Sequence, residues 1–234
     1  MARITGSAAE RFTADSFKVR ALPVMTVTVN EGLFADAVVV VEGLTEVAAI
    51  SRVAEFKQAG WLAKNVALIS VDGKSKIDRA TVIFKGFGIP TYIVFDGDVR
   101  TKHKEKDREK NASTNRILLS LAGAQLEDFP ADGAHDYHAC FADEFETYCQ
   151  SVLGDAEYAS ILNELAVRYC YDKPSEAIKN CDVVADLVEG IYKRGLNLPI
   201  IEHVVERVTA MAGAPVSVSE PVDAQQEASS EMRS

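Results

Sequence analysis

The sequence is short of several features that often decide a protein's class. Its four cysteines, at 140, 149, 170 and 181, form no C-x-x-C pair and no evident ladder. That excludes a disulfide-stapled scaffold and leaves reduced thiols as the simplest state. Long apolar runs are missing too. The most apolar stretch is "DAVVVVEG" at 36–43, far below the roughly 20 residues that span a bilayer, and Met1 is not followed by a signal-like segment. Together these absences predict a cytoplasmic protein. Positive charge is in deficit: 25 Lys and Arg stand against 35 Asp and Glu, a formal net charge of -10. A protein that coats nucleic acid through bulk charge is excluded, although local patches are not. "DGKSK" ends like a phosphate-binding loop, but the glycine that motif needs would stand at position 68, which is Leu68. With Leu68 in an apolar run the backbone has no means to wrap a phosphate there.

What is present is the balance of a soluble globular domain, 47% hydrophobic and 26% charged over 234 residues, enough for one core and a smaller appended unit. "DAVVVVEG" (36–43), "NVALISVDG" (65–73) and "PTYIVFDGD" (90–98) are unbroken Val- and Ile-rich runs of the kind a parallel sheet buries on both faces. Between them, Val47, Ile50, Val53 and Ala54 recur at helical spacing before Gly60, and Ile77, Thr81 and Phe84 do so before Gly88. The pattern β-α-β-α-β predicts an α/β fold with a parallel, doubly wound sheet. "VMTVTV" alternates and reads as a short strand. Beyond Asp98 come a polar segment to Asn115, an apolar helix "NRILLSLAG", a possible fourth strand "DYHACF" and a helix "ADEFETYCQSVLG". Residues 156–212 are helical in pattern, with breaks at Lys173-Pro174 and at Asn197-Leu198-Pro199. Four units are expected: 1–30 as a linker, 31–154 as the α/β domain, 155–213 as a small helical domain, and 214–234 as a polar, disordered tail.

Functional groups in open parallel sheets gather beyond the carboxyl ends of the strands. Those ends carry Glu42, Asp72 and the pair Asp96 and Asp98, and Glu46 falls one helical turn beyond Glu42. Two unit charges about 4 Å apart repel by roughly 4 kcal/mol at an effective dielectric near 20. Such a cluster therefore persists only when cations or protons neutralise it, and hard oxygen donors in this number suit Mg²⁺ or Mn²⁺. Just after the Asp pair the chain turns basic, with Arg100, Lys102, Lys104, Lys106, Arg108, Lys110 and Arg116 set against Glu105, Asp107 and Glu109. This local excess suits DNA phosphates. The same run, with its interleaved acids, equally fits a solvated loop or helix with i,i+4 pairs. His135, His138 and Cys140 hint at zinc, but in an alternating strand packing or solvent exposure is the simpler reading.

"VVVVEGLTE" followed by "YIVFDGD" resembles the Toprim domain of topoisomerases, bacterial primases and several nucleases. The wider series, "SVDGKSKI", "FDGD", "DEFE", "YDKPSEAI" and "LPIIEHVVERV", resembles the C-terminal region of the overcoming lysogenisation defect (OLD) nucleases, in which an ATPase precedes a Toprim domain with a helical domain attached. The resemblance covers roughly residues 30–210. It implies a metal-dependent DNA endonuclease that cleaves phosphodiesters with two divalent ions, Mg²⁺ or Mn²⁺. It further implies that Glu42, Asp96 and Asp98 hold one ion, and that Glu46, Glu146 and Glu144 hold the second, with Asp143 as the alternative to Glu144. Lys173 then matches the lysine that acts on the reacting phosphate, beside Glu42 and Asp96 as catalytic residues. From their charge alone, Lys74 and, in the basic run, Arg100, Lys102 and Lys104 are the candidates to contact DNA. An N-terminal ATPase becomes an expected partner, with residues 1–30 as its trailing edge. A topoisomerase or primase module, or a Toprim scaffold that binds DNA without cutting, is the alternative.

Overall fold

The computed structural model describes residues 19, 21–100 and 105–213. Lys102 and Lys104, the expected tail and most of the expected N-terminal linker lie outside the described residues. The first long element is a helix, α1 (Val27–Gly32), where alternation predicts a strand. The reason is local: the Thr26 hydroxyl accepts a hydrogen bond from the Val29 amide and caps a helical turn, which outweighs the weak period-2 signal of so short a segment. There follow β1 (Ala37–Val41), α2 (Leu44–Phe56), β2 (Val66–Ser70), a 3-10 turn at Lys74–Lys76, α3 (Ile77–Gly86) and β3 (Thr91–Asp96). Next come α4 (Glu105–Ala122), β4 (Gly133–Ala134), β5 (His138–Phe141), α5 (Phe145–Leu153), α6 (Asp155–Arg168), α7 (Pro174–Ala177), α8 (Cys181–Lys193) and α9 (Pro199–Ala212). Arg100 stands in the turn after β3, and the basic run from Lys106 to Arg116 lies on a helix that continues through "ILLSLA".

The strands form one sheet in the order β2-β1-β3-β5-β4, parallel except for the two-residue edge strand β4. Because successive strand residues point to opposite faces, the apolar runs split by alternation. Ala37, Val39, Val41, Tyr92, Val94, Ala139 and Phe141 face one layer, and Val38, Val40, Ile69, Ile93, Phe95 and Cys140 face the other. The second layer is closed by α3 and α4, through Ile77, Phe84, Leu118 and Leu121. The first is closed by α2 and by the C-terminal helices, which bring Val183, Leu187, Val188, Val204 and Val208 into the same continuous core. The fold is therefore α/β and doubly wound, with helices on both faces of a mostly parallel sheet.

Polar contacts fasten the C-terminal helices in place. Arg52 of α2 pairs with Glu189 of α8, the Lys57 ammonium lies 2.6 Å from the Glu202 carboxylate, and the Trp61 indole donates to the Thr209 hydroxyl at 2.8 Å. Of the residues that hint at zinc, His138 and Cys140 lie on β5 and are buried, while His135, in the turn before it, is exposed; the His138 ring stacks on that of His135 at 4.5 Å, and burial pushes the His138 pKa down to about 4. Since the C-terminal helices and the sheet share one core, Leu187→Ala is expected to destabilise the whole protein by about 2–5 kcal/mol. Urea unfolding followed by Trp61 fluorescence and by far-UV circular dichroism should give coincident transitions, both shifted to lower denaturant.

Candidate metal centre

In the strand order β2-β1-β3 the chain crosses from one side of β1 to the other, which opens a crevice beyond the carboxyl ends of β1 and β3. Parallel register, with Val40 opposite Ile93, brings Glu42 beside the end of β3, where Asp96 is the last strand residue. Asp96 presents a buried Oδ1 that has no hydrogen-bond partner among the described residues. The turn after it is tightly held. The Gly97 amide donates to the Phe141 carbonyl at 2.6 Å, and a Cβ at this position would stand 2.6 Å from the Ala142 carbonyl oxygen. Only glycine lets the ends of β3 and β5 meet this closely. Asp98 follows with a positive φ of 56°, and its amide donates to the Asp143 carbonyl.

Two further groups hold this turn. Asn115 of α4, fully buried, donates through Nδ2 to the Gly97 carbonyl at 2.9 Å and to the Asp128 carbonyl at 2.7 Å. Nothing in the sequence distinguishes Asn115 from its polar neighbours, and sequence reasoning missed it. On the other side, the Lys74 ammonium lies 2.7 Å from Asp98 Oδ2 and over the Phe95 ring at 5.7 Å, although Lys74 is only 8% exposed. Glu46, in the first turn of α2 and 7% exposed, accepts through Oε2 from the Gly43 amide at 3.0 Å and the Thr45 hydroxyl at 3.2 Å. It caps its own helix in the absence of another partner.

The electrostatics show how crowded the crevice is. Burial holds Asp96 well above the usual carboxylate range, and the charges of Glu46, Glu42, Glu146 and Asp98 push it further in the same direction. Glu42 is also raised by burial, against which the Lys74 backbone amide works as a donor. Glu144 and Glu146 are raised, again chiefly by burial, with Lys179 opposing the shift in both. The carboxylates of β1, α2, β3 and α5 therefore act on one point. Among the described residues, no three Asp, Glu, His or Cys side chains stand together as a ready coordination shell, since Asp98 is turned onto Lys74 and Glu46 onto Gly43. The donors nonetheless fit a hard divalent cation: all are carboxylate oxygens, and the buried Asp96 Oδ1 has no hydrogen-bond partner among the described residues.

The crevice opens into a cleft of about 710 Å³ lined by Glu42, Lys74, Asp98, Arg100, Lys110 and Glu144, among others. The Arg100 amide donates to Asp143 Oδ1 at 3.1 Å, and its guanidinium is exposed over the same carboxylate. Much of the described basic run is already engaged: Arg116 pairs with Glu109 and Asp128, and Arg108 lies over the Phe129 ring at 4.3 Å. Asp72, at the end of β2, is fully exposed and pairs with Lys76 rather than turning to the crevice. Lys173 caps α7, is 69% exposed at its side chain and sits 3.0 Å from Glu176. Lys179, which sequence reasoning did not single out, is the cation of the C-terminal helical region whose charge reaches Glu144 and Glu146.

Residues 33–98, the span from β1 to the Asp98 turn, match the family model described as "Overcoming lysogenization defect protein-like, TOPRIM domain". This segment is similar to OLD-like Toprim domains. It contains Glu42, Glu46, Asp96 and Asp98, whereas Glu144, Glu146 and Lys173 lie beyond the matched residues. Among solved structures, the "C-terminal region of the Burkholderia pseudomallei OLD protein" superposes with a TM-score of 0.51 at 16% identity, covering 76% of this chain and 99% of that one. At that identity the likeness is one of fold. The sequence search of curated proteins finds no match.

Two measurements follow from this geometry. Gly97→Ala should cost about 1–3 kcal/mol, because the added methyl overlaps a backbone carbonyl that has no room to retreat, and denaturant unfolding reads the loss. In metal-free protein, a raised Asp96 favours the folded state while it is protonated. Its contribution is full below the unfolded pKa near 4 and lost as pH rises through the folded value. Asp96→Asn should therefore flatten the decline in stability as pH rises above about 4 in the presence of a chelator. A residual slope should remain from Glu42, Glu144 and Glu146, whose shifts have the same sign.

Proposed function

We propose that this chain is the catalytic region of a metal-dependent DNA endonuclease. The observation that carries the reading is the buried Asp96, with its unpartnered Oδ1 and the charges of Glu42, Glu46, Glu146 and Asp98 directed at it, at the switch point of a Toprim-type sheet. Glu42, Asp96 and Asp98 would hold one Mg²⁺ or Mn²⁺, and Glu46, Glu146 and Glu144 a second, with Asp143 taken up instead by the backbone of Arg100. When bound, such ions supply an acidified water and neutralise charge on the phosphate.

The chain's own residues supply the rest. Lys110 and Arg100, on the cleft wall, bind backbone phosphates and set the register of the strand, and Lys102 and Lys104, which follow Arg100 in the sequence, are further candidates for the same role. Glu42 lines the cleft and, as a member of the ligand set, would help place the ion against an attacking water. Lys173 is held at the surface by Glu176, and exchanges that partner for a phosphoryl oxygen when DNA is bound. Asn115 and Gly97 keep Asp96 and Asp98 at fixed separation, as a two-carboxylate ligand pair requires. Among the described residues no helix is long and apolar enough to cross a membrane. The matching fold of an OLD C-terminal region supports a preceding ATPase as the intramolecular partner.

Incubation with supercoiled plasmid and Mg²⁺ or Mn²⁺ tests the reading. Nicked and linear products are expected, with none in chelator, and activity should fall about 100-fold or more in Asp96→Asn and Lys173→Ala. Resealed topoisomers would instead mark a topoisomerase-type module, and DNA retention with the plasmid unaltered would mark a binding scaffold.

A further inference from the structure

Lys74 is a buried cation on the crevice wall, paired with one of the crevice's own carboxylates, and its placement is unusual. Its ammonium is carried inward by the 3-10 turn Lys74–Lys76, after Gly73 at a φ of 120°. It is nine-tenths buried, bonds Asp98 Oδ2 at 2.7 Å and rests over the Phe95 ring. Its backbone amide meanwhile donates to the Glu42 carboxylate. One residue thus bridges, by main chain and side chain, the two strand-end carboxylates that would share an ion. Burying a lysine stem and head is costly unless the charge has a partner, and here the partner is a carboxylate of the candidate metal centre.

The geometry points to Lys74 as an internal counter-cation that competes with the divalent ion for Asp98. This inference rests on the proposed metal centre and goes beyond it. Without metal, the ammonium neutralises Asp98 and holds the turn closed against β3. On metal binding, Asp98 rotates from Lys74 to the ion, and the freed ammonium faces the cleft shared with Arg100 and Lys110, where a backbone phosphate is its natural replacement partner. Metal uptake and phosphate binding are coupled through one side chain, and Lys74 is a positioning residue for the first and a binding residue for the second. The exchange is a swap of ionic partners with no bond made or broken.

Isothermal calorimetry of Mn²⁺ binding to the folded protein, without DNA, tests the competition directly. Lys74→Met and Lys74→Gln should each bind Mn²⁺ about tenfold more tightly than the parent, since Asp98 is then free of its competitor. The metal-free variants should melt at lower temperature, because Asp98 loses its ion pair with Lys74, and gain more from added Mn²⁺ than the parent does. Equal or weaker Mn²⁺ affinity in variants that retain the parent's circular dichroism would overturn the inference and leave the proposed function standing. Failure of parent and variants alike to take up the ion would remove both. Short single-stranded DNA, titrated by fluorescence anisotropy, gives the second arm. Parent affinity should rise on addition of Ca²⁺ as a non-hydrolytic ion, and that rise should shrink in Lys74→Gln. An undiminished rise would overturn the phosphate half of the inference.

Discussion

The structure is organised around an unfavourable interaction: several carboxylates are brought into mutual range at the buried end of β3. Asp96 meets the charges of Glu46, Glu42, Glu146 and Asp98 with no hydrogen bond to Oδ1. Most of what surrounds the crevice serves to hold that arrangement against its own repulsion. The all-apolar strands anchor β1 and β3 on both faces, Asn115 and the Gly97 turn fix the chain after Asp96, and Lys74 supplies an internal positive charge. A fold that stabilises such a cluster in the absence of ligand is positioned to gain from a cation, because binding relieves strain already present.

The layering around the sheet explains how the C-terminal helices take part. Their apolar stripes do not close on themselves but cover the face of the sheet that α2 leaves partly open, so Leu187 and Val204 share a core with Val39 and Tyr92. This fixes the approach of α7 and of the α7–α8 connection to the crevice, where Lys179 comes within electrostatic range of Glu144 and Glu146. The helical region thereby contributes charge to a site whose carboxylates come from the sheet. Lys173, by contrast, stands at the solvent edge with Glu176.

Local chemistry explains where sequence patterns read well and where they mislead. The three parallel strands stand out because burial on both faces demands unbroken apolar runs, and the helices between them because one face must be apolar. The strand expected at "VMTVTV" is a helix because a single capping hydroxyl decides a six-residue element. β4 has two residues and carries no pattern to detect. Asn115 is invisible in sequence since its function depends on two carbonyls, one 18 and the other 13 residues away.

The order of apolar runs and turn residues, by itself, determined a parallel α/β sheet and set acidic residues at its strand ends, because strand burial and helix amphipathicity are written in local periodicity. Which acids face one another was decided only by tertiary structure. Strand order places β1 beside β3, turns Asp72 outward and brings Lys74 onto Asp98. Charge interactions and desolvation depend on distances through space between residues remote in the chain, and no local pattern encodes those distances.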